Sequence, residues 1–321
     1  MSLVEVRHLT RRFGPVEAVT DVSFTFEAGQ VFGFIGPNGA GKTTTMRILA
    51  GLDEPTSGDC SIDGLSTIDD ADRVARRIGY MPDEFGTYAN TTVAEYLDFF
   101  ARAYGLKGAR RDNALADVID FCQLGGLSEK LVTTLSKGMR QRLGLGRTLV
   151  HDPDVLILDE PSAGLDPRAR VEFRELIRLL ARQGKAVLIS SHILADLQEI
   201  CDAVAIIELG RVVATGSVKD IKRQVQDSVA ERAREAGARV LVELRLAHAA
   251  ERLPHILAEQ PDVSEVAIHD LTASLQCPAD PAAQAALLAR LVAAGLPVCH
   301  FASRDHNLED LFMHLTEGKV Q

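Results

Sequence analysis

Gly36, Pro37, Asn38, Gly39, Ala40, Gly41, Lys42 and Thr43 follow one another in the order G-x-x-x-x-G-K-S/T. No other stretch restricts the fold of this chain as strongly. Residues 30–35 before it, Gln-Val-Phe-Gly-Phe-Ile, read as a short apolar strand. Residues 44–50 after it, Thr-Thr-Met-Arg-Ile-Leu-Ala, read as a helix. Strand, glycine loop and helix in that order make a phosphate-binding loop. Gly36, Gly39 and Gly41 carry no Cβ, so the backbone can curl and turn its N–H groups onto an anion. The following helix points its partial positive end at the same spot. In such a loop Lys42 reaches the β- and γ-phosphates of a nucleotide, and the Thr43 hydroxyl holds Mg²⁺.

A length of 321 residues points to about two domains. Apolar content of 46% and charged content of 25% are those of a soluble globular protein. A formal net charge of −10 argues against a nucleic-acid grip, and no nucleic-acid partner is expected. The five cysteines (60, 122, 201, 277 and 299) are odd in number and lack C-x-x-C spacing, which points to reduced thiols in a cytosolic setting. The first residues lack a basic region followed by an apolar one, and no run approaches 18 apolar residues. Any membrane role is therefore expected to go through a partner.

Residues 3–9 and 21–27 read as strands, with 11–15 as the turn between them. Phe13 in that turn is either core or a ring that stacks on a flat ligand such as adenine. Residues 77–83 read as a strand ending near Pro82. Thr92-Val-Ala-Glu95 is a capping box that opens a helix, with Val93, Tyr96, Leu97, Phe100 and Tyr104 on one face. Leu115, Val118, Ile119 and Cys122 repeat the spacing, so 85–150 reads as a helical insertion in an α/β domain. Ser136 is placed to cap a helix running to about 150, and a serine and glycine there can also form an anion site.

Residues 154–160, Asp-Val-Leu-Ile-Leu-Asp-Glu, are an apolar run into two carboxylates, the pattern of a buried parallel strand ending in charge. Open α/β sheets bind ligands at the carboxyl ends of their strands. Asp159 is then a Mg²⁺ ligand and Glu160 a general base for the attacking water. A turn at 161–167, a helix at 168–182 and a buried strand at 186–191 follow, the last ending at His192. His192 can reach a γ-phosphate at the same sheet edge. Residues 202–207 and 211–215 read as a closing hairpin.

In the tail, 218–236 reads as a linker helix. Strands at 239–246, 263–269, 271–277 and 297–302, with helices at 248–259 and 281–294, spell βαββαβ, the ferredoxin-like arrangement. Residues 307–315 read as a short amphipathic helix. His248, His255, His269, His300 and His306 show no metal spacing.

In this order the motifs resemble those of the ATP-binding subunit of an ABC transporter. The likeness is to exporters whose ATPase and six-helix membrane subunit are separate chains. Leu135-Ser136-x-Gly138 just upstream of Leu156-Ile-Leu-Asp-Glu160, then Ala163-Gly-Leu-Asp166 and His192, carries it over about 1–217. The resemblance implies an ATPase using ATP and Mg²⁺. Phe13 would stack on adenine, Gly36 to Thr44 would be Walker A, and Asp159 and Glu160 would be Walker B with the catalytic carboxylate. His192 would read the γ-phosphate. Ser136 and Gly138 would face ATP bound by a second copy, and Asp166 would sit in the D-loop. It also implies a head-to-tail homodimer with two ATP molecules sandwiched, a separate permease, and a place on the cytoplasmic face of the cell membrane. A soluble ABC ATPase acting on ribosomes or DNA is the rival reading, which one P-loop and the acidic balance disfavour. Two motifs depart from the family pattern. Lys137 and Met139 replace the third and fifth residues of Leu-Ser-Gly-Gly-Gln. Asp83 stands where the Q-loop glutamine belongs, and a carboxylate there can still ligand Mg²⁺.

Overall fold

A computed structural model describes residues 3–193, 197–221, 239–249 and 252–303 of the chain. Its contacts divide it into two compact units, the first reaching Val218 and the second beginning at Lys219.

The first unit opens with a hairpin, β1 (Val4–Phe13) and β2 (Val16–Phe26), and then β3 (Val31–Ile35). The strands run further into the turn than 3–9 and 21–27 would suggest. Phe13 closes β1 opposite Val16, with its ring 48% exposed and the Arg11 guanidinium 4.5 Å from its centroid. It is therefore not a core residue. Next come α1 (Lys42–Leu49), β4 (Ser57–Ile62), β5 (Leu65–Ser66), α2 (Ala71–Val74) and β6 (Ile78–Met81). The helical part holds α3 (Val93–Ala103), α4 (Gly108–Phe121) and α5 (Lys137–Leu149). The unit returns through β7 (Val155–Leu158), α6 (Pro167–Arg182), β8 (Ala186–Ser191), β9 (Ala203–Glu208) and β10 (Arg211–Ser217).

Two sheets enclose the core. One is antiparallel, in the order β2-β1-β4-β5. The other runs β10-β9-β3-β8-β7-β6, parallel throughout except for the edge strand β10. β3, β7 and β8 are buried along their whole length, as the unbroken apolar runs require of strands covered on both faces. Phe24 and Phe26 of β2 stack on Phe32 of β3 at centroid distances of 5.3 and 5.4 Å. Met46, Ile48 and Leu49 of α1 join the same core. Each such ring contributes about 1.5–3 kcal/mol by leaving water, so the strand and helix on either side of the glycine loop are firmly held.

In the helical part the capping box forms as written. Thr92 Oγ1 accepts from the Glu95 N–H at 3.3 Å, and Glu95 Oε2 accepts from the Thr92 N–H at 2.8 Å. Val93, Tyr96 and Leu97 are fully buried, whereas Tyr104 lies beyond the helix end and is 43% exposed. Its ring stacks flat on His151, with centroids 3.7 Å apart.

The second unit contains β11 (Arg239–Leu246), α7 (Leu253–Ala258), β12 (Ser264–His269), β13 (Thr272–Pro278), α8 (Pro281–Ala293) and β14 (Val298–Ser303). The strands pair antiparallel in the order β12-β13-β11-β14, so the third strand fills the gap between the first two. Val242, Leu244, Ala273 and Leu275 form a core with Leu253, Leu257, Leu287 and Leu291 of the helices. α7 is shorter than 248–259, with Pro254 in its first turn. A proline is tolerated there because its missing N–H has no intrahelical partner to lose. Most of the expected linker helix 218–236, the closing helix 307–315 and His306 lie outside the described residues. No described helix is long and apolar enough to cross a membrane.

His151 gives a test of the packing. Its Nε2 lies 2.9 Å from the Ile78 carbonyl and so donates to it. Burial pushes its pKa down, against the pull of that hydrogen bond. The folded value is below the unfolded one near 6.5, so stability is lost as pH falls through about 6.5 toward the folded value. His151→Gln, which keeps a donor for Ile78, should flatten that loss. Urea midpoints at about pH 7.5 and 5.5 should fall less for the variant than for the wild type. Equal falls would show that the ring takes up its proton without penalty.

Candidate nucleotide site

The glycine loop is shaped by close approach as well as by backbone freedom. A Cβ on Gly36 would come 2.3 Å from the Ile207 carbonyl oxygen, so the chain leaves β3 hard against β9. Gly41 has φ +101°, and a Cβ there would come 2.5 Å from the Ala18 carbonyl oxygen. Only glycine fits both places. Gly41 is also the N-cap of α1 and offers no side chain to it, so the first turn of the helix is left for an outside acceptor.

Lys42, the first residue of α1, is 6% exposed. Its Nζ donates to the carbonyls of Gly36 at 2.7 Å and Pro37 at 3.2 Å, and lies 3.5 Å from Glu160 Oε1. Burial pulls its pKa below the usual lysine value, and the carboxylates of Glu160 and Asp159 oppose the shift. A buried cation with one carboxylate beside it is a ready partner for a phosphate. Ala40, itself buried, closes the loop through its N–H to the Pro37 carbonyl at 3.2 Å.

Asp159, 2% exposed, directly follows β7 and joins three elements. Thr43 Oγ1 of α1 donates to its Oδ2 at 2.7 Å, and Ser190 Oγ of β8 donates to its Oδ1 at 2.6 Å. The same Ser190 Oγ accepts from the Glu160 N–H at 2.9 Å. Glu160 has φ +47°, a left-handed conformation that is costly for this residue type. It turns the carboxylate into the cleft, where Oε2 lies 2.9 Å from His192 Nδ1 and the buried Oε1 has no hydrogen bond. Asn38, Thr44 and Asp83 complete the rim. Partial burial and the charges of Asp159 and Glu160 push the Asp83 carboxyl above the usual range.

The Thr43 hydroxyl and the Asp83 and Asp159 carboxylates are all hard oxygen donors at one cleft, and they fit Mg²⁺ in chemistry. Glu160 and His192 can polarise and orient a water. The structure thus brings together Gly36 to Thr44, Asp83, Asp159, Glu160 and His192.

The remaining expected residues do not line this cleft. Ser136 caps α5, its Oγ accepting from the Met139 N–H at 3.3 Å. Asp166 caps α6, its Oδ1 accepting from the Ala169 N–H at 2.9 Å. Gly138 faces Ala169 and Leu165, and Phe13 sits at its hairpin tip. Sequence reasoning passed over Ser190. The available signal was two adjacent serines closing an apolar strand, where a buried hydroxyl must find a partner.

Residues 19–163 match the family model of the ABC transporter ATPases. The Nod factor export ATP-binding protein I of Burkholderia lata is 39% identical over 214 residues, covering 67% of this chain and 70% of that protein. This chain belongs to the ABC transporter ATP-binding proteins. A solved ATP-binding subunit of an ABC transporter superposes with a TM-score of 0.64 at 34% identity, over 70% of this chain and 94% of the other. The probable multidrug ABC transporter ATP-binding protein YbhF of Escherichia coli is 35% identical over 223 residues, 70% of this chain. The match spans only 38% of YbhF, so the chain corresponds to well under half of that longer relative.

Ser190→Ala removes no apolar volume but takes a partner from Asp159 Oδ1 and from the Glu160 N–H, so it should destabilise the fold by about 1–3 kcal/mol without unfolding it. It should lower Mg²⁺-dependent ATP turnover roughly 10- to 100-fold, the usual cost of losing a partner that orients a metal ligand. Wild-type turnover in this variant would show that Asp159 is positioned by Thr43 and β7 alone.

Proposed function

We propose that this chain is the ATP-hydrolysing subunit of an ABC exporter, with Mg²⁺ as cofactor and a separate membrane permease as partner. The observation that carries the reading is the single cleft in which Lys42, Thr43, Asp159, Glu160 and His192 meet. The export sense is supported by the name of the Nod factor export protein, and the cargo is left open between drug, lipid, polysaccharide and ion.

Each residue is assigned a task by its place. The backbone N–H groups of the loop and the head of α1 take the phosphates, and Lys42 exchanges the Gly36 and Pro37 carbonyls for phosphate oxygens. Thr43, Asp159 and Asp83 would hold Mg²⁺, which when bound screens the charge of the phosphates. Glu160 takes a proton from the attacking water as general base, and His192 orients Glu160 and reads the γ-phosphate. Ser136 and Gly138 have no phosphate within their own cleft. Their task needs a second copy placed head to tail, so that the amino end of one α5 closes over the ATP of its partner. Asp166 then stands at the same junction, and Phe13, exposed on its hairpin, stacks on adenine. ATP closes the pair, closure drives the permease, and hydrolysis reopens it on the cytoplasmic face of the membrane.

Glu160→Gln should cut turnover by about 10²–10⁴ while ATP still binds. The same variant tests the partner. Trapped with ATP in its own cells and gently solubilised, it should bring down a stoichiometric polytopic membrane protein. Recovery of ribosomes or nucleic acid instead would replace export with a soluble ATPase function.

A further inference from the structure

The tip of the first hairpin is held against the nucleotide cleft. Ala18 of β2 lines that cleft. Its carbonyl oxygen stands where a Cβ on Gly41 would come within 2.5 Å and a Cβ on Gly210 within 2.9 Å. The Thr20 N–H donates to the Gly210 carbonyl at 2.7 Å, and the Arg12 N–H donates to Thr56 Oγ1 at 3.0 Å. The backbone that carries Arg11, Arg12 and Phe13 therefore has a fixed place beside the glycine loop.

The two arginines of the tip are met differently. Arg12 Nη2 pairs with Glu17 Oε1 at 2.6 Å across the hairpin. Arg11 turns to Phe13 instead, with its guanidinium carbon 4.5 Å from the ring centroid. Its buried Nε has no hydrogen bond among the described residues, so no acceptor dictates that placement. A cation over the face of an aromatic ring is attracted by the negative charge there, and a planar guanidinium can also stack on it. An aromatic ring has two faces. Arg11 covers one, and the ring is still 48% exposed. The face left open is a flat apolar platform of the kind that a purine base stacks on.

We propose that Arg11 is a positioning residue for the base of the nucleotide: it holds the Phe13 ring by one face and so sets the other face for adenine. An exposed ring without such a hold must be ordered by the ligand itself, and that ordering lowers the affinity. Arg11 acts through the ring and not on the phosphates, so its effect is confined to the base. This inference rests on the reading of Phe13 as the platform for adenine.

A double-mutant cycle on the full chain, read with and without the base, tests it. Displacement of a fluorescent ATP analogue gives the affinity for ATP and for inorganic tripolyphosphate, both with Mg²⁺. It is measured in the wild type, Arg11→Met, Phe13→Leu and the double variant. Phe13→Leu should weaken ATP binding at least about fivefold, the low end of base stacking on an aromatic ring. Arg11→Met keeps an unbranched stem and should weaken it roughly two- to fivefold, the range of an exposed cation–π contact. In the Phe13→Leu background the same change should cost less than about 1.5-fold, because no ring is left to hold. Tripolyphosphate should bind Arg11→Met and the wild type alike. The chain has no tryptophan, so Phe13→Trp supplies a single reporter. The anisotropy of its emission without nucleotide should fall when Arg11→Met is added. Melting temperatures check that each variant folds, and Arg11→Gln serves if Arg11→Met does not. An equal ATP loss in both backgrounds, no loss in either, a matching loss for tripolyphosphate or an unchanged anisotropy overturns the role of Arg11 and leaves that of Phe13 standing. Phe13→Leu binding ATP like the wild type would instead remove the adenine reading itself.

Discussion

The Asp159 carboxylate is the joint on which this nucleotide site depends. It is almost fully buried and acidic, so each oxygen must find a donor or the fold bears a cost of about 1–3 kcal/mol or more. One oxygen is met by Thr43 from α1 and the other by Ser190 from β8. Neither donor belongs to the strand that carries the acid. The demand for two hydrogen bonds therefore fixes the glycine-loop helix, the end of β7 and the end of β8 relative to one another. Glu160 inherits its place from the same joint, because its N–H is held by the Ser190 hydroxyl.

The order β9-β3-β8-β7-β6 makes that joint possible. In a parallel sheet every strand delivers its carboxyl end to one edge, so residues far apart in sequence arrive together. Thr43 and Asp159 are 116 positions apart and still share a 2.7 Å hydrogen bond. β8 lies between β3 and β7 and places Ser190 and His192 next to Asp159 and Glu160. The antiparallel sheet has a different part to play. Its phenylalanines cover β3 and, with the apolar face of α1, hold the strand and helix on either side of the loop. The loop itself can then stay open and rich in polar groups.

Much of this is legible in the sequence. The unbroken apolar runs at 155–158 and 186–191 announced strands buried on both faces, and the loop spacing announced its own strand and helix. Thr92 and Glu95 announced their capping box, because a local hydrogen-bond pattern leaves a local signature. Features that depend on pairing across the fold were not legible. Phe13 reads as turn from the sequence because the irregular pairing of β1 with β2 carries the strands past the point where alternation fades. Ser190 gives no such signal, because a hydroxyl in a strand reads as filler until its acceptor is known. The tight approach of Gly36 to Ile207 has no local signal either, since the contact is with a strand some 170 residues later.

Ser136 bears on the proposed pairing of two copies. Its hydroxyl oxygen accepts from the Met139 N–H, so the head of α5 is capped within its own chain. A capped helix start still presents N–H groups that the cap does not reach, because one side-chain oxygen satisfies only one or two of the four. Those groups, with Lys137 and Arg140, give the head of α5 a positive character, and the first turn of the helix holds no acidic residue. The glycine-loop cleft, once it holds a triphosphate, is a negative surface. Within one chain the glycine loop and the head of α5 line separate clefts. Two copies related head to tail would satisfy each surface with the other. Charge complementarity of this kind would be lost when the outer phosphate leaves, and hydrolysis would then have a direct physical route to opening the proposed pair.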